Sequence, residues 1–297
     1  MRHSFSNVAF NNTGSAVNVS VGTLSINGSG TDTGTYSASG GAACNFGGGT
    51  RTLSAGSTVT VSGTGAVQVT GGTTYVNGTV TGTGNFNVAG GTLTGTGVIS
   101  SNMTLSSGSV AGTGTLTTKG SSQVTGAIYF SGGKTWVNQG TLTIGGSGYL
   151  YFGATSGGTN TLTNAAGGTL NLSSTDGTPI TITAGTATFN NAGTLNHTVA
   201  GTHAIHSNVA FNNTGTVNVS AGTLSINGSG TDTGTYSASA GAACNFGGGT
   251  RTLECGVDGH RHGSGAVQIT GGTTYVNGTV TGTGKLNLAG GTLGGTG

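Results

Sequence analysis

Charge is what this chain has least of. Asp, Glu, Lys and Arg together make 4% of its 297 residues, against about 25% in an ordinary soluble domain. The seven basic residues (Arg2, Arg51, Lys119, Lys134, Arg251, Arg261 and Lys285) are scattered. They form no basic stripe to track phosphates, so nucleic acid is excluded as a partner. Long apolar runs are missing too. None approaches the roughly 18 residues a membrane helix needs, which argues against membrane insertion. No stretch keeps the i, i+3, i+4, i+7 spacing of an amphipathic helix over three turns. Proline occurs once. Few charges and few bulky side chains can mark disorder, but disorder also needs charge repulsion, and the formal net charge is only +2.

What fills the chain instead is glycine, at 65 residues, between short runs that alternate small polar with apolar residues. Val17-Asn18-Val19-Ser20, Thr23-Leu24-Ser25-Ile26, Thr58-Val59-Thr60-Val61, Thr141-Leu142-Thr143-Ile144 and Ile180-Thr181-Ile182-Thr183 are examples. Period two with β-branched residues is the pattern of a strand with one buried face. Asn-Gly, Gly-Gly and Gly-Thr-Gly separate the runs, where glycine reaches positive φ without steric cost. An antiparallel sandwich would need longer loops over such a length. The pattern therefore predicts an all-β fold, a right-handed parallel β-helix with about three short strands per coil. Coils of roughly 20 residues at about 4.8 Å spacing would make about 15 coils and a rod near 70 Å, helped by inward Asn or Thr ladders.

A second repeat runs at a period of 200. Residues 17–53 and 217–253 differ only at Val21/Ala221 and Gly40/Ala240, and residues 65–84 and 265–284 only at Val69/Ile269. The reading is one solenoid over 1–297 with near-duplicate blocks at 7–97 and 208–297, tolerated because each coil contacts mainly its neighbours. Met1-Arg2-His3-Ser4-Phe5-Ser6 enters the repeats without the apolar core of a signal peptide, and Gly291-Thr292-Leu293-Gly294-Gly295-Thr296-Gly297 stops in mid-pattern. The expectation is a fragment of a longer array, with end coils whose open backbone edges favour end-to-end self-association.

Gly22-Thr23-Leu24-Ser25-Ile26-Asn27-Gly28, Gly71-Gly72-Thr73-Thr74-Tyr75-Val76-Asn77-Gly78 and Gly90-Gly91-Thr92-Leu93-Thr94-Gly95-Thr96-Gly97 resemble the strand repeats of bacterial surface proteins. These are the autotransporter passengers and the filamentous-haemagglutinin-like adhesins. The resemblance implies secretion to the cell surface and an adhesive or stalk role, with a host or environmental surface or a carbohydrate as partner.

Several clusters invite chemistry. Glu254, Cys255, Asp258, His260 and His262 lie close together in sequence and include divalent-metal ligand types. Yet the first block reads Ser-Ala-Gly-Ser-Thr-Val-Thr-Val-Ser-Gly at residues 54–63. Codons GAG TGC GGG GTC GAC GGT CAC CGT CAC GGG for residues 254–263, begun one nucleotide later, give Ser-Ala-Gly-Ser-Thr-Val-Thr-Val-Thr-Gly. Nine of ten then match, so the segment reads as a frameshifted coil, with no metal favoured and no cofactor expected. With Val59 or Thr60 inward, the second block would bury Gly259 and Arg261, or Asp258 and His260. His197, His203 and His206 have no nearby carboxylate to orient them and read as solvent-facing. Cys44 and Cys244 read as small buried side chains. Asp32 and Asp232, in Gly-Thr-Asp-Thr-Gly, read as turn caps, since one carboxylate is too few for calcium. Gly47-Gly48-Gly49-Thr50-Arg51 lacks the helix that a phosphate loop requires. The aromatics Tyr129, Phe130, Trp136, Tyr149, Tyr151 and Phe152 read as core or stacked-ring ladder. If the partner is a carbohydrate, Tyr129, Trp136, Tyr149 and Tyr151 are the candidate platform.

Three functions remain. The first is a structural or adhesive module without catalysis. The second is a polysaccharide lyase or hydrolase, which needs clustered carboxylates. The third is ice binding by a flat threonine-rich face; Thr-x-Thr pairs such as Thr141/Thr143 and Thr181/Thr183 allow it, though their spacing along the chain is irregular, and it turns on whether outward threonines align from coil to coil.

Overall fold

The computed structural model describes residues 3–154, 156–254, 257–258, 265–281 and 285–297. Among these there are strands, turns and bends and no helix. Each strand pairs in parallel with the equivalent strand of the next coil, so the sheets grow along the axis. Thr23–Ile26 pairs with Ala43–Phe46 and that with Ala66–Val69 on a first face. Thr50–Leu53 pairs with Thr73–Val76 on a second face. Thr35–Ala38 pairs with Thr58–Val61 and that with Thr79–Thr81 on a third. The chain is thus a parallel β-solenoid of about 13 turns with roughly three strands per coil.

There are fewer turns than the uniform repeat predicts because many coils, such as those stepping from Thr135 to Thr161 and from Thr161 to Thr188, are longer than expected. The step from Asn85 to Asn102 is shorter than the expected coil, and the step from Leu150 to Ile180 is half as long again. At about 4.8 Å per coil the rod is about 60 Å long. The tight coils are made by two ten-residue strands, Asn85–Thr94 and Asn102–Ala111, that run from the first face onto the second with a register shift at the corner.

Alternation decides what is buried. In Thr58–Val61 the valines point in and the threonines out, and Ala66–Val69 and Thr169–Ser174 alternate in the same way, burying Val67 and Val69, and Leu170, Leu172 and Ser174. The inward Val, Leu, Ile and Phe side chains form one continuous core along the described residues. Phe189 and Phe211 stack edge to face at 5.0 Å, and Phe130 and Phe152 at 4.9 Å, one ring per coil. Gly72 shows why the corners need glycine: its φ is +59° and a Cβ there would lie 2.2 Å from the Gly49 carbonyl oxygen.

An inward asparagine ladder appears at the corner between the third and first faces. Asn138 Nδ2 donates to Asn164 Oδ1 (2.8 Å), Asn164 Nδ2 to Asn191 Oδ1 (2.8 Å), and Asn191 Nδ2 to Asn213 Oδ1 (2.9 Å). The same nitrogens also donate to the carbonyls of Thr169, Thr194 and Thr216. Each buried amide is therefore satisfied across coils, as a buried polar group must be.

The duplicated blocks do not occupy equivalent faces. Thr23–Ile26 lies on the first face, and nine coil steps along that face end at Thr216–Val219. The copy of Thr23–Ile26 is the next strand, Thr223–Ile226, which pairs on the second face with Thr202–Ile205 and Ala243–Phe246. The long repeat period thus contains nine and one-third turns. The second block is rotated by one face.

Candidate binding faces

The third face carries the most regular outward array. Thr35, Thr58, Thr79, Val98, Thr117, Val137, Thr163 and Asn190 stack in one column over eight coils. A second column, Thr115, Thr135, Thr161 and Thr188, runs beside it. Neighbours lie about 4.8 Å apart along the axis and about 6.7 Å apart along a strand. Thr141/Thr143 and Thr181/Thr183 do not contribute, because they sit on the first and second faces. The first face instead displays amides: Asn196 Nδ2 donates to Asn171 Oδ1 (3.0 Å) and Asn218 Nδ2 to Asn196 Oδ1 (3.1 Å).

The aromatic cluster divides by direction. Tyr129, Tyr149 and Tyr151 point out from the second face, with ring centroids 6.1 Å (Tyr129–Tyr151) and 5.9 Å (Tyr149–Tyr151) apart. Tyr129 is 37% exposed. Trp136 does not join this platform: its ring is sealed in the core, with Nε1 donating to Thr118 Oγ1 at 3.0 Å. It sits at an inward position of Lys134–Asn138, where burial of its large apolar area outweighs display. Phe130 and Phe152 are core as well.

Asp32 and Asp232 are not turn caps. Both are fully buried and each pairs with an arginine one coil away, Asp32 with Arg51 and Asp232 with Arg251. Arg51 also donates to the Tyr36 hydroxyl (3.1 Å) and to the carbonyls of Phe10 and Gly28, and its guanidinium lies over the Phe46 ring. The sequence signal was present, since each arginine follows its aspartate by one coil length. Inward-facing ends of Gly30–Asp32 and Thr50–Leu53 bring them together, and a buried charge survives only with such a partner.

His197 and His203 are not solvent-facing either. They occupy inward positions of Thr194–His197 and Thr202–Ile205, and both are buried. His197 Nε2 lies 2.8 Å from His203 Nδ1, and His197 Nδ1 lies 2.9 Å from the Ala221 carbonyl oxygen. A carbonyl only accepts, so Nδ1 of His197 carries its proton and its bare Nε2 accepts from His203. Burial pushes the His197 pKa down; the Ala221 hydrogen bond opposes this and the neighbouring His203 adds to it. Cys44 and Cys244 are buried free thiols, and burial raises both to about 12.

Cys255, His260, His262, Gly259 and Arg261 lie outside the described residues. Glu254 accepts a hydrogen bond from Asn277 Nδ2 at 3.0 Å. The described backbone of Val257 and Asp258 corrects the expected register. Val257 pairs with Tyr236 and Val280, the rung that Val59 holds against Tyr36 and Val80 in the first block. Relative to the first block the chain has moved along by two positions at this rung. Among the described residues, no three His, Cys, Asp or Glu side chains gather as a metal site. No family model matches this chain, and no curated protein or solved structure matches it significantly.

Proposed function

We propose that the chain is a structural and adhesive segment of a secreted or cell-surface protein, a stiff rod that binds by repeated weak contacts along its faces. The observation that carries this reading is the outward lining: columns of uncharged Thr on the third face and of Asn and Gln on the first continue from coil to coil, beside a tyrosine island at Tyr129, Tyr149 and Tyr151 on the second. Such side chains offer many equal hydrogen bonds, and their sum rather than any single site supplies avidity. The bacterial-surface resemblance of the repeats supports the location.

A lyase or hydrolase reading draws less support. Asp32 and Asp232 are committed to ion pairs inside the core, and Asp176 accepts from the Thr178 backbone in a turn (2.7 Å). Acid–base cleavage of a glycoside uses two carboxyl groups flanking the bond. The test is retention of chain-coated beads under flow on polysaccharide-coated surfaces. Retention above that of beads bearing an unrelated protein, reduced severalfold by Tyr129→Ala with Tyr151→Ala, is the expected result. No excess retention on any surface, or depolymerisation of the coating, refutes the reading.

The aligned threonine columns favour one second reading, ice binding by the third face. Its test is thermal hysteresis and ice-recrystallisation inhibition, abolished by Thr135→Lys with Thr161→Lys. A chain that leaves ice growth unchanged removes it.

A further inference from the structure

The corner between the second and third faces turns on glycines. Gly95 and Gly112 hold φ of +103° and +81°, and a Cβ at Gly95 would lie 2.3 Å from the Val76 carbonyl oxygen. With no side chain filling the corner, an open groove of about 460 Å³ remains, lined by Tyr75, Asn77, Thr94, Thr96 and Thr113. That volume is within the usual range for small-ligand sites. Tyr75 is 39% exposed and Thr113 is exposed at the rim. Asn77 Oδ1 accepts from the Thr96 backbone and hydroxyl (3.1 and 3.4 Å), which holds the amide and leaves its Nδ2 hydrogens for a ligand.

Beneath the floor lies Lys134. It is fully buried, and its Nζ donates to the carbonyl oxygens of Gly95 and Thr113, both groove residues. Fully buried lysines are rare unless paired. Among the described residues the ion pairs are those of Asp32 and Asp232, so this ammonium has no carboxylate. Burial brings its pKa down to about 8, which keeps it charged at neutral pH. Carbonyls whose oxygens turn inward to the ammonium present the positive ends of their dipoles outward. The groove floor is electropositive in a chain with almost no surface charge.

We propose that this groove binds an anionic saccharide, a hexuronate chain. One sugar face stacks on Tyr75, hydroxyls bond to Asn77, Thr96 and Thr113, and the carboxylate sits over the Gly95–Thr113 corner above Lys134. The adhesive reading supplies the saccharide as partner. The stacking ring of the groove, Tyr75, is separate from the Tyr129 island, which lies three coils further along the second face.

The experiment is calorimetric titration of the whole chain with a hexuronate trisaccharide and a neutral hexose trisaccharide of the same linkage. The acidic sugar should bind about tenfold or more tightly at near-neutral pH, about one decade of affinity, and lose that advantage as the pH rises past about 8. Tyr75→Ala should weaken both sugars. Thr113→Asp, an exposed change that leaves the core intact, should abolish the preference for the acid. Tyr275→Ala, the duplicate position on the third face, should change nothing. Equal affinity for both sugars, no binding of either, or indifference to Tyr75→Ala and Thr113→Asp overturns the proposal. Beads that still adhere while the hexuronate fails to bind leave the adhesive reading standing and sink only the groove. Loss of both sinks both.

Discussion

Acid should open the rod at one coil before the others. His197 stacks between Leu172 and Val219, and His203 lies beneath Leu224, so the pair replaces two aliphatic core positions. The Ala221 carbonyl sets the tautomers, with His203 donating to His197 Nε2. A proton on that Nε2 forces His203 to change tautomer and leaves a charge in the core. A second proton leaves two N–H groups facing each other across 2.8 Å. The folded state therefore favours neutral His197, in agreement with its lowered pKa. In the unfolded chain a histidine takes its proton near pH 6.5. Stability from this group is thus fully present above about pH 6.5 and is lost as the pH falls, by about 1.4 kcal/mol per unit while His197 stays neutral in the fold. Each such unit is a large share of a marginal stability. Hydrogen exchange of residues 194–226, followed from pH 7.5 to 4.5, should show these amides losing protection before the Phe130–Phe152 coils do. His197→Leu with His203→Leu, which matches the neighbouring rungs, should flatten the response. Equal acid loss in that variant, or no loss in the parent, refutes the reasoning.

Asn164→Ala should cost about 1–3 kcal/mol in denaturant unfolding, because it takes the ladder donor from Asn191 Oδ1 and removes one of the acceptors of Asn138 Nδ2; a loss below about 0.5 kcal/mol would show the ladder is not a source of stability. Arg51→Met should cost about 3–5 kcal/mol by stranding Asp32 in the core. Adding Asp32→Asn should recover most of that, and failure to recover would deny the ion-pair account. Replacing residues 254–263 by Ser-Ala-Gly-Ser-Thr-Val-Thr-Val-Thr-Gly should raise stability by about 1–3 kcal/mol and leave adhesion unchanged. Joint loss of a bound metal and an activity on that replacement would make Glu254, Cys255, Asp258, His260 and His262 a site after all.

Strand identity and the in-or-out sense of each side chain were legible in the sequence, because period two is a local property of an extended backbone. Thr58–Val61 and Thr169–Ser174 bury the residues their alternation predicts. So were the parallel solenoid and the buried thiols of Cys44 and Cys244. The aromatics read as core or stacked rings, and Trp136, Phe130 and Phe152 are core. Asp32 read as a turn cap and His197 and His203 as solvent-facing, because residue type argued against burial, and there residue type misled. A polar side chain can stay inside only when a partner arrives from elsewhere in the chain, as Arg51 does for Asp32 from the next coil. A window of one strand does not contain that partner. Face identity was likewise decided only in three dimensions. It depends on how many corners precede a strand, and coil steps are uneven, short from Asn85 to Asn102 and long from Leu150 to Ile180. That is why near-identical blocks come to rest one face apart, and why the threonines that align are those of the third face rather than the pairs most visible in the sequence. Turning a corner is a long-range sum over the whole chain, while alternation is settled within a few residues.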